Sequence, residues 1–304
     1  MIRKYLLAIS IIAVACLIGF VGFCILTFRQ NSLKDFSPVS LRLRNVRGQK
    51  ITLDPPPVDH FAVVMDRGQT TAVKIKSVDL ISDTLSDTEQ RTIINFIKTS
   101  PNGTGEYVVK NNLMNRLIAQ KNPVSDMNAS FIAIASDKNQ DIVVRAYAVQ
   151  HLRPLYEKSR DVAVKIFLYE ALKEEDTEVS GGAMLALNYL MNQDEYRSDF
   201  DRAPVIQQAK KIALDDSANG NNRITAIQVA SAGNDPELAD GLRKILADAD
   251  THSALRISAI AGLGAVGDDS DIAFLNVIAQ SKKFESRAAR AAIRKISERR
   301  RIIR

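Results

Sequence analysis

The sequence predicts an all-α fold, in which a stack of paired helices follows one transmembrane helix and a short stalk. Apolar residues from about residue 85 onwards recur with the period of an amphipathic helix, as at Ile93, Ile94 and Ile97. Residues 5–28 contain no charged side chain. The chain has no tryptophan and only 6% aromatic residues, which is more typical of packed helices than of a β-sandwich.

The first element is the apolar segment Tyr5–Phe28. A helix of this length rises roughly 36 Å, enough to cross the hydrocarbon layer of about 30 Å in a bilayer. The alternative is a signal peptide cleaved at Ala13-Val14-Ala15, which has the small-x-small pattern of a cleavage site. Because the apolar run continues well past that site, we expect an uncleaved anchor and a single-pass membrane protein.

Basic residues on both sides of this segment give conflicting signals about its orientation. Arg3 and Lys4 favour a cytoplasmic N-terminus, whereas residues 29–50 carry a net charge of +5 directly behind the segment. Short basic N-terminal tails usually stay inside, so we expect an extracytoplasmic or periplasmic repeat domain. Both cysteines, Cys16 and Cys24, lie within the segment, and a thiol-free remainder agrees with an oxidising compartment.

The second element, residues 29–84, is a basic juxtamembrane stalk. Leu43 and Ile51 each lie in a stretch where apolar and polar residues alternate, which predicts a small β-hairpin. Residues 61–65 and 73–75 are further strand candidates. An irregular linker is the alternative interpretation of the whole stalk.

The third element, residues 85–304, repeats an alanine on the second helix of each predicted pair, at spacings of 30 to 43 residues. The alanines are Ala148, Ala183, Ala226, Ala259 and Ala289. An arginine stands three positions before three of them. These arginines are Arg145, Arg223 and Arg256. Such spacing is typical of stacked helix pairs, in which small residues set how closely neighbouring helices approach.

This pattern of alanine and arginine resembles HEAT repeats. The resemblance covers roughly residues 85–300 and implies a HEAT-like α-α superhelix of five or six helix pairs that presents a surface to a protein partner. In HEAT repeats an aspartate precedes the arginine, as Asp141 does here. Serine replaces the arginine at Ser180 and Ser286, so the resemblance does not imply a continuous Asp–Arg ladder.

No motif in the sequence indicates catalysis, and we expect no enzyme, no metal and no cofactor. The resemblance to HEAT proteins raises a di-iron hydroxylase, but that class needs His-Glu pairs. Here none of the three histidines, His60, His151 and His252, is followed by a glutamate. Asp215 begins a series like that of an EF-hand, but position twelve is Ala226, where calcium needs a glutamate.

Positive charge is concentrated at the two ends of the chain. Residues 282–304 have a net charge of +8, whereas residues 51–281 have a net charge of −9. We expect a basic capping helix that is a candidate site for an anionic membrane surface or another polyanion. Nucleic acid is disfavoured, because it requires a cytosolic domain and because no aromatic residues are interleaved with the arginines to stack on bases. The candidate residues are Arg287, Arg290, Arg294, Arg299, Arg300 and Arg301.

Together these features predict a non-catalytic, membrane-anchored scaffold that binds a protein partner at the cell envelope. Binding of an anionic surface by the C-terminal helix is the alternative function. An enzyme built on a repeat scaffold is a third.

Overall fold

The computed structural model describes most of the chain after residue 57 and two short segments before it. The described residues are 42–44, 50–52, 58–174, 178–233, 235–281 and 284–303. The predicted anchor, residues 5–28, lies outside them. Among the helices that are described, none is both long and apolar enough to cross a membrane, and the structure lends the anchor no support.

The chain divides into two compact units, residues 1–58 and 59–304. In the first unit the structure describes two short strands, β1 at Arg42–Arg44 and β2 at Lys50–Thr52. They pair antiparallel with Leu43 opposite Ile51, at the place where the alternating pattern predicts a hairpin.

The described part of the second unit contains fourteen α-helices and one turn of 3-10 helix at Arg197–Asp199. The α-helices alternate between a first and a second member of a pair. The first helices are α1 (His60–Met65), α3 (Asp87–Thr99), α5 (Met127–Ser136), α7 (Val162–Ala171), α9 (Ala203–Leu214), α11 (Pro236–Ala247) and α13 (Ser270–Gln280). The second helices are α2 (Thr71–Val78), α4 (Thr104–Ile118), α6 (Ile142–Ser159), α8 (Glu178–Met191), α10 (Gly220–Ser231), α12 (Ser253–Val266) and α14 (Glu285–Ile303).

The second helices form a continuous row. Each one contacts the first helix of its own pair and its neighbours in the row, of which α2 and α14, at the two ends, have one each and the others two. The predicted all-α fold is therefore confirmed for the second unit, and six of its helix pairs lie after residue 85.

The strand candidates at residues 61–65 and 73–75 are wrong, because these residues lie in α1 and α2. The side chain of Asp59 accepts a hydrogen bond from the backbone N–H of Ala62 and so caps α1. Val78, at the end of α2, is fully buried in the same hydrophobic core as the later pairs. Packing against α4 thus selects helix for a short apolar stretch that, taken alone, fits a strand equally well.

The recurrent alanines are all fully buried in the core. They are Ala148, Ala183, Ala226, Ala259 and Ala289. Gly264 shows how close the second helices come, because a Cβ added there would lie 2.9 Å from the Cα of Ala292 on the next second helix. A small side chain on this row is therefore a condition for the close approach of neighbouring pairs.

Candidate functional site

A series of cations lies in the first two turns of the second helices. The series, here called the turn ladder, comprises Lys74, Lys110, Arg145, Arg223, Arg256 and Arg290. All of them except Lys74 donate a hydrogen bond to a backbone carbonyl at the C-terminal end of the first helix of the same pair. Those carbonyls have no partner within their own helix and carry the negative end of its dipole, so a cation stabilises them.

Arg145 shows how the turn ladder also joins one pair to the next. Its side chain is buried, and its Nε donates to the carbonyl of Ala135 at 2.8 Å. Its Nη2 donates to Glu174 Oε1, in the turn of the following pair, at 2.6 Å. Arg256 repeats this arrangement with Glu285, at 2.9 Å. Each of these arginines therefore holds a helix end and a neighbouring turn at once.

Other members of the turn ladder have different partners. Lys110 is fully buried, and its Nζ donates to the Ser100 carbonyl at 2.8 Å and to Asn102 Oδ1 at 2.6 Å. Burial lowers the pKa of this lysine below its ordinary value. Arg223 pairs at 2.8 Å with Asp216, whose side chain is 93% exposed. We therefore expect an ion pair of the turn ladder to stabilise the fold most where both of its side chains are buried.

The residue four positions before the arginine caps the second helix rather than pairing with the arginine. Asp141 and Asn219 each accept from the backbone N–H two residues on, at 2.9 Å. His252 does the same with Nδ1 at 3.2 Å. Aspartate, asparagine and histidine side chains can all accept this hydrogen bond. The capping role therefore explains why aspartate does not recur at this position in every pair.

The six arginines predicted to bind a polyanion fall into two groups. Arg290 belongs to the turn ladder, because its Nη1 donates to the Ala279 carbonyl at 2.9 Å. Arg299 donates to the carbonyls that end α12. Arg300 forms an ion pair with Asp269 at 3.2 Å. Arg290 and Arg300 therefore join the two helices of the last pair, and Arg299 joins that pair to the one before it.

The other three, Arg287, Arg294 and Arg301, are here called the arginine stripe. All three are exposed, and none has a hydrogen-bond or ion-pair partner within the described part of the chain. They are seven residues apart, so they lie about 10 Å from one another along α14 and within about 40° around it. Because Ala292 on the opposite side of the helix approaches α12, the stripe faces away from the stack.

The row of second helices has one side that no helix of the described unit covers, here called the open face. On α6 and α10 this side presents Gln150 and Gln228, which are both exposed. Each glutamine lies two residues after the recurrent alanine of its helix, so the two occupy equivalent positions. Neither side-chain amide makes a hydrogen bond among the described residues, so four donor hydrogens and two acceptor oxygens face solvent.

Between these glutamines, α8 presents Tyr189, which is 40% exposed. The guanidinium carbon of Arg153 on α6 lies 4.2 Å from the centre of this ring, a cation–π arrangement. Glu157 lies 3.6 Å from the same guanidinium group and fixes it further. The sequence did not reveal this pair, because its two residues come from different helices and neither repeats in the other pairs.

The three histidines take structural roles. His151 is buried between α4 and α6, with Nδ1 2.7 Å from the Tyr147 carbonyl and Nε2 3.0 Å from Asn115 Oδ1. Burial lowers the pKa of His151. His60 Nδ1 lies 3.5 Å from Ser77 Oγ. Within the described residues, no group of three or more His, Cys, Asp or Glu side chains is placed to hold a metal ion.

A depression of about 650 Å³ opens beside the turn between α11 and α12. Leu246, Thr251 and Phe284 are among the residues that line it. Its two charged residues, Arg256 and Glu285, are bound to each other. The depression therefore offers no free charged group to a ligand.

The second unit thus belongs to the class of all-α stacks of helix pairs. No protein-family model and no curated protein sequence matches the chain. Among solved structures, an engineered protein aligns with 80% of this chain and 98% of its own, at 14% identity and a TM-score of 0.42. Human deoxyhypusine hydroxylase in complex with glycerol aligns with 79% of this chain and 95% of its own, at 14% identity and a TM-score of 0.36.

The match to a hydroxylase corrects one prediction from the sequence. We predicted a non-catalytic scaffold and no enzyme, and this prediction is contradicted because one of the matched structures is an enzyme. At this identity and TM-score the match assigns neither an activity nor a site to the present chain.

Proposed function

We propose that the second unit is a HEAT-like solenoid whose open face binds an extended polypeptide segment. The observation that carries the proposal is the pair of unpartnered amides, Gln150 and Gln228, on either side of Tyr189. An amide group both donates and accepts, which matches the alternating N–H and C=O groups of a peptide backbone.

The spacing of the row suits an extended chain. Neighbouring packed helices lie about 8–10 Å apart, and an extended chain advances about 3.3 Å per residue. A segment that crosses the row therefore advances about three residues from one second helix to the next. It can offer a backbone N–H or C=O group to each of these helices. Tyr189, with Arg153 against its ring, offers a surface on which a planar side chain of the segment can stack.

The test begins with a library of short unstructured peptides selected on the full chain. Affinities of the selected peptides are then measured by fluorescence anisotropy on single variants. Tyr189→Ala is expected to weaken binding about tenfold, and Gln228→Ala about threefold to fivefold, the range for one aromatic contact and one hydrogen bond.

The matched control is Gln207→Ala. Gln207 is also an exposed glutamine, but it lies on the first helix α9, away from the open face. Equal losses for Gln207→Ala and Gln228→Ala would overturn the proposal, as would peptides that bind Tyr189→Ala unchanged. Mass spectrometry of the peptide after incubation distinguishes a peptide that is bound unchanged from one that the chain modifies chemically.

On sequence grounds we also propose that residues 5–28 anchor the chain in a membrane, with the helical unit on the extracytoplasmic side. The uncharged 24-residue segment supports this proposal. Protease added to intact cells is expected to digest residues 29–304. Protection of that region until the membrane is permeabilised would contradict the proposed orientation.

A further inference from the structure

We infer that the arginine stripe, Arg287, Arg294 and Arg301, binds the surface of an anionic lipid bilayer. The first ground is that the fold does not use these side chains. The ladder member Arg290 and the neighbouring Arg299 both donate to backbone carbonyls. The three stripe arginines are exposed and have no partner among the described residues, so their full hydrogen-bonding and charge capacity is available.

The second ground is the geometry of the stripe. Three guanidinium groups at about 10 Å intervals on one side of a helix form a line about 21 Å long. Such a line can contact a plane of phosphate or carboxylate headgroups with all three groups at once. Because the stripe faces away from α12, no other helix of the described unit stands between it and that plane.

The third ground is a protruding aromatic side chain at one end of the stripe. Phe284 is 92% exposed and lies three residues, or one helical turn, before Arg287. Leaving a phenylalanine in water has a cost that insertion among lipid headgroups removes. In the sequence, Lys282 and Lys283 directly precede Phe284 and carry two further positive charges.

Lipid is favoured over nucleic acid by what accompanies the arginines. Phe284 is a single apolar group at the end of the stripe, whereas single-stranded nucleic acid needs aromatic rings interleaved with the cations. The same chain contains the uncharged segment 5–28, which is compatible with a membrane location. Residues 51–281 carry a net charge of −9, which disfavours a long polyanion that would run along the helix pairs.

The test uses the full chain reconstituted in nanodiscs of phosphatidylcholine, so that residues 5–28 already have an apolar environment. The nanodiscs are mixed with vesicles of phosphatidylcholine, with or without phosphatidylserine, and association is measured by flotation. We expect association only with phosphatidylserine, and a steep loss with added salt. Each basic residue near an anionic surface contributes about a fivefold change in affinity, so Arg287, Arg294, Arg301→Ala is expected to weaken binding roughly a hundredfold.

The matched control removes the same charge elsewhere. Arg67, Lys98 and Lys244 are exposed, and the structure shows no partner for their side chains among the described residues. Arg67, Lys98, Lys244→Ala is expected to bind within about threefold of the wild type, since it lowers the net charge but leaves the stripe intact.

Three results would overturn the inference. The first is full-strength association of the Arg287, Arg294, Arg301→Ala chain with phosphatidylserine vesicles. The second is an equal loss in the control variant. The third is displacement of the vesicles by a short DNA or RNA duplex that itself no longer binds the Arg287, Arg294, Arg301→Ala chain. This result would assign the stripe to nucleic acid. An unchanged melting temperature in both variants excludes misfolding as the cause of any loss.

Discussion

The turn ladder and the arginine stripe are both rows of cationic side chains, but they differ in burial and in partners. Arg145 in the ladder is 5% exposed and bonds both a helix end and a carboxylate. Arg294 in the stripe is exposed and has no partner among the described residues. What separates the two roles is whether the side chain reaches the end of a first helix. Arg145, Arg223 and Arg256 stand three residues before a buried alanine and reach the end of the first helix, whereas Arg294, five residues after Ala289, faces solvent.

The largest expected effect is on stability when a buried member of the turn ladder is removed. Arg145→Ala removes the donor to the Ala135 carbonyl and the buried partner of Glu174, which keeps its contact with the exposed Lys138. We expect it to lower the free energy of unfolding by about 3 kcal/mol. Arg223→Ala should cost only about 1 kcal/mol, because its partner Asp216 is 93% exposed. Urea unfolding followed by circular dichroism measures both. Equal losses would show that burial does not govern the strength of the ladder.

The next effect tests the close approach of the second helices. Gly264→Ala places a methyl group 2.9 Å from the backbone of Ala292, which cannot move aside as a flexible side chain does. We expect a loss of about 1–3 kcal/mol in thermal unfolding. Gly220→Ala is the control, because no atom lies within 4 Å of the added carbon. It should stabilise the chain by about 0.5–1 kcal/mol by restricting the unfolded state.

A smaller effect concerns a buried titratable group. Burial lowers the pKa of His151 in the folded state, and the neighbouring Arg153 lowers it further. Above about pH 6.5 the histidine is neutral in both states and contributes no pH dependence. Below that pH the unfolded chain binds a proton that the folded chain does not, so stability falls by up to about 1.4 kcal/mol per pH unit.

His151→Gln should therefore flatten the fall in stability between about pH 6.5 and pH 5. The lowered pKa values of aspartates such as Asp215 and Asp248 act at lower pH, near and below their unfolded values of about 3.9. Denaturant unfolding at several pH values measures the slope. Parallel curves for the wild type and the variant would mean that His151 is not held neutral in the folded state.

The smallest expected effect is on the stability of the stripe variant. Arg287, Arg294, Arg301→Ala removes no contact within the described residues, so its free energy of unfolding should lie within about 0.5 kcal/mol of the wild type. Thermal unfolding checks this value. A loss of several kcal/mol would place the stripe among the residues that hold the fold.

Much of the fold follows from periodicity in the sequence. The apolar spacing from residue 85 onwards predicts helices, and the recurrent alanines are the residues that the core buries. The error at residues 61–65 and 73–75 has a clear cause, since a short run rich in valine fits a strand and a helix equally well. Only the contact of α2 with α4 decides between them.

The functional surfaces were less accessible to sequence reasoning. Lys110 was missed because it precedes Leu113, so a search for alanine with a preceding arginine passes over it. Arg290 and Arg287 differ in role although they stand one turn apart, and only the helix end at Ala279 distinguishes them. Tyr189 and Arg153 meet across two helices, and no spacing along one helix predicts that contact.

The most direct test compares one arginine from each set in the last two helix pairs. Arg256→Ala and Arg294→Ala each remove one guanidinium group, and the equilibrium free energy of unfolding is measured for both under the same conditions. Arg256 bonds the end of α11 and Glu285, so its loss is expected to cost about 2 kcal/mol or more. Arg294→Ala should stay within about 0.5 kcal/mol of the wild type. Equal losses, or a larger loss for Arg294→Ala, would contradict the division between cations that hold the stack and cations that are free to bind.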